Sequence, residues 1–198
     1  MLAIAGGKGG SGKTTTTLGL ARALDGPALA VDADCDLPNL HALAGVPRDP
    51  PAGSVGHPDP GGRETLIRPA PRNAPDGAGS RLRRLTDFDG QVLVDCPAGA
   101  GPDAAVPLRV ADAVLVVATP CVPALRDAAK TAAMARALDT RVVGAVLTRA
   151  RIEPPGVADL LGCPVLATVP PATPPLESPA VSRAYDSLAR SLPNRQKA

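Results

Sequence analysis

Aromatic side chains are almost absent from this chain. Its 198 residues include one Phe, one Tyr and no Trp, although 44% of them are hydrophobic. A core without large rings must be assembled from Ala, Val and Leu, in many small contacts. That composition suits Val-rich strands in a buried parallel sheet. Lysine is scarce too, with 4 Lys against 17 Arg. Acidic residues number 19 and the formal net charge is +2, so no broad electrostatic attraction to nucleic acid or membrane is expected. The four cysteines, Cys35, Cys96, Cys121 and Cys163, form no C-x-x-C pair, which argues against a zinc or redox motif. A chain of this size without a secretion signal is not expected to carry a disulfide framework. No apolar run approaches the ~20 residues of a membrane span. These absences together predict a cytoplasmic protein, long enough for one well-buried domain.

What is present is a rhythm. Continuous runs rich in Val, Ala and Leu recur at 2–5, 28–32, 91–95, 113–118, 141–147 and 164–169. Runs that do not alternate with polar residues belong to strands buried on both faces. Helical patterns fall between them, at 13–24, 80–86, 103–110, 124–138, 156–161 and 179–192. The predicted fold class is α/β, a mostly parallel central sheet with helices on both faces. One stretch breaks the rhythm: between Val46 and Gly79, 14 of 34 residues are Pro or Gly. It reads as a surface excursion from a single domain spanning 1–198, with 64–69 as a short extra strand. The lone histidines His41 and His57 are expected at the surface.

The chemistry concentrates at the start. Gly7 to Thr14 reads G-K-G-G-S-G-K-T, which fits G-x-x-x-x-G-K-[ST]. It follows a predicted strand and opens a predicted helix, the context that motif requires. Gly7, Gly9, Gly10 and Gly12 let successive backbone N–H groups turn inward on phosphate oxygens. The helix beginning near Lys13 adds the positive end of its dipole. Lys13 reaches the β- and γ-phosphates, and Thr14 offers its hydroxyl to Mg²⁺. Carboxylates are supplied by strand ends. Asp95 closes one buried strand, and Asp32, Asp34 and Asp36 lie at or just past the end of another. Ligands of open α/β sheets bind at such carboxyl ends. Asp36 reads more simply as the cap of a short helix in "LPNLHALAG".

"KGGSGKTT", "VDADCDLPNLHALAG", "VDCPAG" and "ADAVLVVATPCVPALRDA" resemble segments of the MinD/ParA group of deviant Walker A ATPases. The last two are closer to the MinD branch. The resemblance implies an ATP hydrolase that uses ATP and Mg²⁺ and forms an ATP-dependent homodimer. Lys8 matches the lysine that reaches across the two-fold interface to the partner's phosphates. Asp34 matches the aspartate that positions the attacking water. Asp32 and Asp95 match acidic residues around the metal, and Ser11, Thr14 and Thr15 match phosphate and metal contacts. Asp95 to Gly99 match the switch segment that senses the γ-phosphate. Thr148-Arg149 stands where the family often has an Asn-Arg pair near adenine, and Thr lacks the two-sided pattern of an amide.

The cellular role implied is a switch that positions or assembles an unidentified protein partner. A nucleotide-binding regulatory scaffold with little turnover, a ParA-like DNA partition ATPase and a small P-loop metabolic enzyme stay open as alternatives. Nucleic acid is weakly supported: "RLRR" at 81–84 reads first as a solvated helix face. Membrane contact is not expected from this chain alone. The stripe Val181, Tyr185, Leu188 and Leu192 is narrow and suits packing on the chain's own domain.

Overall fold

In the computed structural model, residues 1–7, 9–72, 77–99 and 101–192 are described. Strands and helices alternate along them. In chain order they are β1 Leu2–Ala5, α1 Lys13–Ala23, β2 Ala28–Asp32, α2 Leu40–Ala44, β3 His57–Pro58 and β4 Thr65–Arg68. Then come α3 Ala78–Arg83, β5 Gln91–Asp95, α4 Pro102–Val110, β6 Ala113–Ala118 and α5 Val122–Ala137. The last are β7 Arg141–Thr148, α6 Val157–Leu161, β8 Val165–Val169 and α7 Pro179–Ser191. The strands form one sheet in the order β3-β4-β2-β5-β1-β6-β7-β8. Every neighbouring pair is parallel except β3 with β4, so the carboxyl ends of the other seven strands share one edge.

The strands form where the continuous apolar runs predict them, because both faces of the sheet are covered. Within β5, Val92 and Val94 join the core under α3, α4, α5 and α6, while Leu93 joins the core under α1, α2 and α7. The second core holds the chain's only Tyr. Tyr185 is buried against α1, where Gly19 makes room: a Cβ at position 19 would lie 2.3 Å from ring carbons of Tyr185. Its hydroxyl lies 3.3 Å from that of Thr16. Val181 and Leu188 are fully buried beside it, so α7 spends its apolar stripe on its own domain, as expected.

The Pro/Gly-rich stretch departs from the expectation of a surface excursion. Residues 73–76 of it lie outside the described residues, but the strand expected at 64–69 is present as β4 and pairs along β2, and β3 caps the sheet edge. Ile67 and Ala70 are fully buried. Few side chains are needed to do this, because the Pro and Gly residues serve the turns while β4 alternates inward Thr65 and Ile67 with half-buried Leu66 and Arg68. His57 is buried in β3 rather than exposed. Asp59 locks the stretch onto α1. Its buried carboxylate accepts two hydrogen bonds from Arg22, from Nε at 2.7 Å and Nη2 at 2.8 Å, and a third from the Gly61 N–H. Such a fork-to-fork pair is strong because both partners are ionised and planar.

Asp59→Ala would leave the half-buried Arg22 guanidinium without its partner. Breaking a buried pair from one side costs roughly 3–5 kcal/mol. Thermal unfolding is expected to show a fall in Tm of about 6–20 °C, at roughly 2–4 °C per kcal/mol for a domain of this size. A Tm within 2 °C of the parent would mean that the stretch is not docked through this pair.

Candidate functional site

The loop between β1 and α1 lies on the carboxyl edge of the sheet. Helix α1 begins at Lys13 without any side-chain cap, after Gly12 in left-handed backbone at φ 92°. The first N–H groups of a helix have no intrahelical partner, so an uncapped start behind a glycine loop is an anion cradle. Gly12 is required twice over, by its φ and because a Cβ there would lie 3.0 Å from Cγ2 of Thr148. Ser11 Oγ is buried with no partner among the described residues, Lys13 is buried, and Thr14 and Thr15 are half-buried. Gly9 and Gly10 are exposed, with open space where a Cβ would stand. Lys8 lies outside the described residues.

Thr148 and Arg149, expected beside the base, have their side chains bound to this loop. Thr148 Oγ1 donates to the Ser11 carbonyl at 2.6 Å, and Arg149 Nη2 donates to the Gly10 carbonyl at 2.8 Å. Arg149 holds left-handed backbone at φ 54°, uncommon for a residue other than Gly, Asn or Asp. The two residues latch the loop from the end of β7. No sequence signal joins residues separated by well over a hundred positions.

Asp32 and Asp95 are register partners on β2 and β5. Both are buried, and burial is the main reason that each carboxyl is harder to ionise than usual. The Asp95 carboxyl is pushed up to about 7. Asp32 and Asp34 push it in the same direction, while a hydrogen bond from the Thr14 hydroxyl and the Lys13 ammonium oppose them. One Asp95 oxygen, Oδ1, is buried and has no hydrogen-bond partner among the described residues. A buried acceptor left unmet beside a threonine hydroxyl fits a divalent cation. Among the described residues no three Asp, Glu, His or Cys gather into a metal cage. A cation here would complete its shell with water and phosphate oxygens, as Mg²⁺ does beside nucleotides.

Asp32 is arranged differently. The carboxyl rises to about 6, chiefly through burial, although backbone donors oppose the shift. Oδ1 accepts from the Asp34 N–H at 3.0 Å and Oδ2 from the Leu40 N–H at 3.1 Å. Asp32 therefore braces the turn that carries Asp34 and receives the first N–H of α2. The expected Asp36 cap is not found: Asn39 precedes α2 without a side-chain cap bond, and the capping oxygen comes from Asp32. Folding of 33–39 back over the end of β2 decides this, because it returns the helix start to the strand it left. Asp34 is half-buried, and its Oδ1 accepts from the Leu37 N–H at 3.0 Å. Cys96, directly after Asp95, is buried. Burial first and the neighbouring Asp95 second push its thiol well above the usual range.

Two predictions follow from this geometry. Folded-state values for Asp32 and Asp95 lie above the ordinary carboxylate value of 3.8, so the folded chain binds more protons between about pH 4 and 7. Their contribution makes the nucleotide-free protein less stable as pH rises through that window. Asp95→Asn, which cannot ionise, should raise Tm at pH 8 by at least ~2–4 °C, corresponding to about 1 kcal/mol or more, and narrow the difference between pH 5 and pH 8. An unaltered pH profile in thermal melts would contradict a high proton affinity at Asp95. Thr148→Val should loosen the loop by the loss of one buried hydrogen bond, about 1 kcal/mol, and weaken nucleotide binding about fivefold by calorimetry. Parent affinity would show that the latch does not shape the cradle.

Residues 2–180 match the CobQ/CobB/MinD/ParA nucleotide binding domain. An uncharacterized ATP-binding protein of Methanocaldococcus jannaschii is 32% identical over 193 residues, covering 85% of this chain and 73% of that protein. The cell division ATPase MinD of Pyrococcus furiosus is 27% identical, with a TM-score of 0.80 over 96% of both chains. The septum site-determining protein MinD of Pyrococcus horikoshii, complexed with Mg-ADP, has a TM-score of 0.82. It covers 95% of this chain and 93% of its own; at 22% identity it speaks to the fold alone. The chain, with its phosphate loop, latch and paired aspartates on one sheet edge, belongs to the CobQ/CobB/MinD/ParA family of nucleotide-binding P-loop proteins.

Proposed function

We propose that the chain is a Mg²⁺-dependent ATPase that dimerises around ATP and serves as a switch for positioning or assembling a protein partner. The observation that carries this reading is the unmet Asp95 oxygen beside Thr14, at the foot of an uncapped helix that begins with a buried Lys13. Such a site has donors for phosphate on one side and an acceptor for a cation on the other. Thr14 and Asp95 would hold Mg²⁺, with Asp32 behind them, and the ion would neutralise charge on the phosphate oxygens. Loop N–H groups with Ser11 and Thr15 bind the phosphate chain. Lys13 neutralises the β- and γ-phosphates. Asp34 leaves its local turn to orient the attacking water, and Lys8 of the partner subunit adds a second cation at the γ-phosphate, as an arginine finger does elsewhere.

Dimerisation draws support from exposed apolar side chains. Leu37, Val122 and Ile152 are 72%, 61% and 76% exposed, and each follows the carboxyl end of a different strand. They therefore rim the same edge as the phosphate loop, where a second subunit would cover them. All four cysteines are free thiols, which suits the reducing cytoplasm in which we place the cycle. No described helix is long and apolar enough to cross a membrane.

Asp34→Ala is expected to bind Mg·ATP, to lose roughly 10²-fold or more in turnover, and to accumulate as a dimer in light scattering. Lys8→Ala should bind nucleotide as a monomer but neither dimerise nor hydrolyse normally. Mixing the two inactive variants should restore up to about half the per-site activity of each mixed dimer, since two-fold symmetry places one intact composite site in it. Parent turnover in Asp34→Ala, or no recovery in confirmed mixed dimers, would remove the respective residue from the mechanism.

A further inference from the structure

A cavity of about 190 Å³ opens on the same sheet edge, at the far side of β2 from the phosphate loop. Its walls are the ends of β2 and β4, the segment after α2, and α3. Four arginines line it: Arg48, Arg68, Arg72 and Arg81. Among the described residues two carboxylates face them there, Asp32 and Asp49. Asp49 is engaged by Arg72, with Nε 3.1 Å from Oδ2, and both oxygens of Asp32 are engaged by backbone N–H groups. Arg68 Nη1 donates to the Val55 carbonyl at 2.7 Å. That leaves Arg48 Nε, Arg81 Nε and Arg81 Nη1 buried and without a hydrogen-bond partner among the described residues. A partly buried guanidinium with unmet donors is costly, and the four guanidiniums around this cavity outnumber its described carboxylates, an excess of positive charge that an oxyanion would offset. Arg68 reports the same crowding: burial first, and the charge of Arg81 second, lower its proton affinity.

We propose that this cavity is a second anion site, which takes a small dianion such as a phosphate group or a short dicarboxylate. The volume suits a small anion, since 190 Å³ lies below the roughly 300–1,000 Å³ of pockets for drug-sized ligands. Chemistry favours oxyanions with two or more oxygens, because a guanidinium presents paired donors that match them. The site is separate from the cradle. None of the described loop residues, Thr14 or Asp95 is part of its walls, and β5, β1 and β6 stand between β2 and β7, the strand that carries the latch. The two sites share one residue. Asp32 is a wall of the cavity and also braces the turn that carries Asp34. "RLRR" thus divides: Arg81 lines the cavity, while Arg83 and Arg84 are exposed.

The test titrates inorganic phosphate and malonate, at constant ionic strength, into the protein by calorimetry. The nucleotide site is filled beforehand with Mg²⁺ and a non-hydrolysable ATP analogue. At least one probe should bind saturably, near one per chain, with Kd below about 1 mM. The double variant Arg48→Gln/Arg81→Gln should weaken that binding at least about tenfold, whereas Arg83→Gln, on the same helix but outside the cavity, should bind like the parent. Phosphate alone, or malonate alone, identifies the class within the proposal. Should the double variant fail to melt cooperatively, Arg81→Lys decides: it keeps the charge, loses the fork, and should bind about threefold or more weakly. No saturable binding of either probe below 10 mM, or equal binding by parent and both Arg81 variants, overturns the second site. The comparison between variants stands whether or not the chain hydrolyses ATP.

Discussion

The site depends on a carboxylate kept from water. Asp95 ends a central strand, one of its oxygens has no partner among the described residues, and its register neighbour is another acid. Two buried carboxylates side by side disfavour each other's charge, and Lys13 and the Thr14 hydroxyl relieve only part of that. An arrangement of this kind lowers the stability of the free protein and raises its appetite for cations. The sheet can hold it because the strands on both sides are buried and tightly paired, so the acids cannot swing out to solvent. Strain of this kind at the phosphate edge fits a protein whose stability is meant to come partly from its ligand.

The small-residue core has a second consequence. With one Tyr and one Phe, shape is specified by glycine and alanine contacts rather than by interlocking rings. Gly19 and Tyr185 show the principle. The only ring of the α1 face occupies the space that a missing side chain leaves, so α7 can dock on the helix that carries the phosphate loop. The same economy holds on the loop, where Gly12 admits Thr148 and the latch closes on two carbonyls. Helix and loop are thereby both tied to distant parts of the chain, which keeps the cradle in shape before any nucleotide arrives.

Arginine takes the place that lysine leaves. Arg22 anchors the Pro/Gly-rich stretch, Arg149 holds the loop, and four more arginines face one cavity. A planar fork that makes several directed bonds suits the half-buried Arg22, Arg48, Arg68 and Arg81 better than an ammonium, which is more strongly hydrated. Along the carboxyl edge the result is an alternation of positive and negative groups. The phosphate cradle, the acids and the arginine cavity stand next to one another, and Asp32 belongs to the last two.

How much of this was legible in the sequence differs by element. The parallel strands and most helices were, because burial on both faces leaves a continuous apolar run and a glycine loop before a lysine leaves a fixed spacing. β4 was legible as a short extra strand at 64–69, whereas β3 was obscured by proline and glycine, which signal turns but say nothing of a two-residue strand between them. Asp36 looked like the helix cap and Asp32 is, because the fold-back of 33–39 is a path through space. The Thr148–Ser11 latch and the arginine cavity were invisible for the same reason: their members come from segments far apart in the chain. Local backbone preference and hydrophobic period are properties of neighbouring residues, so the sequence by itself determined the α/β class and the phosphate loop. Which carboxylate stays unmet, which braces a turn and which arginines share a cavity are properties of distance and burial, and only the tertiary structure decided them.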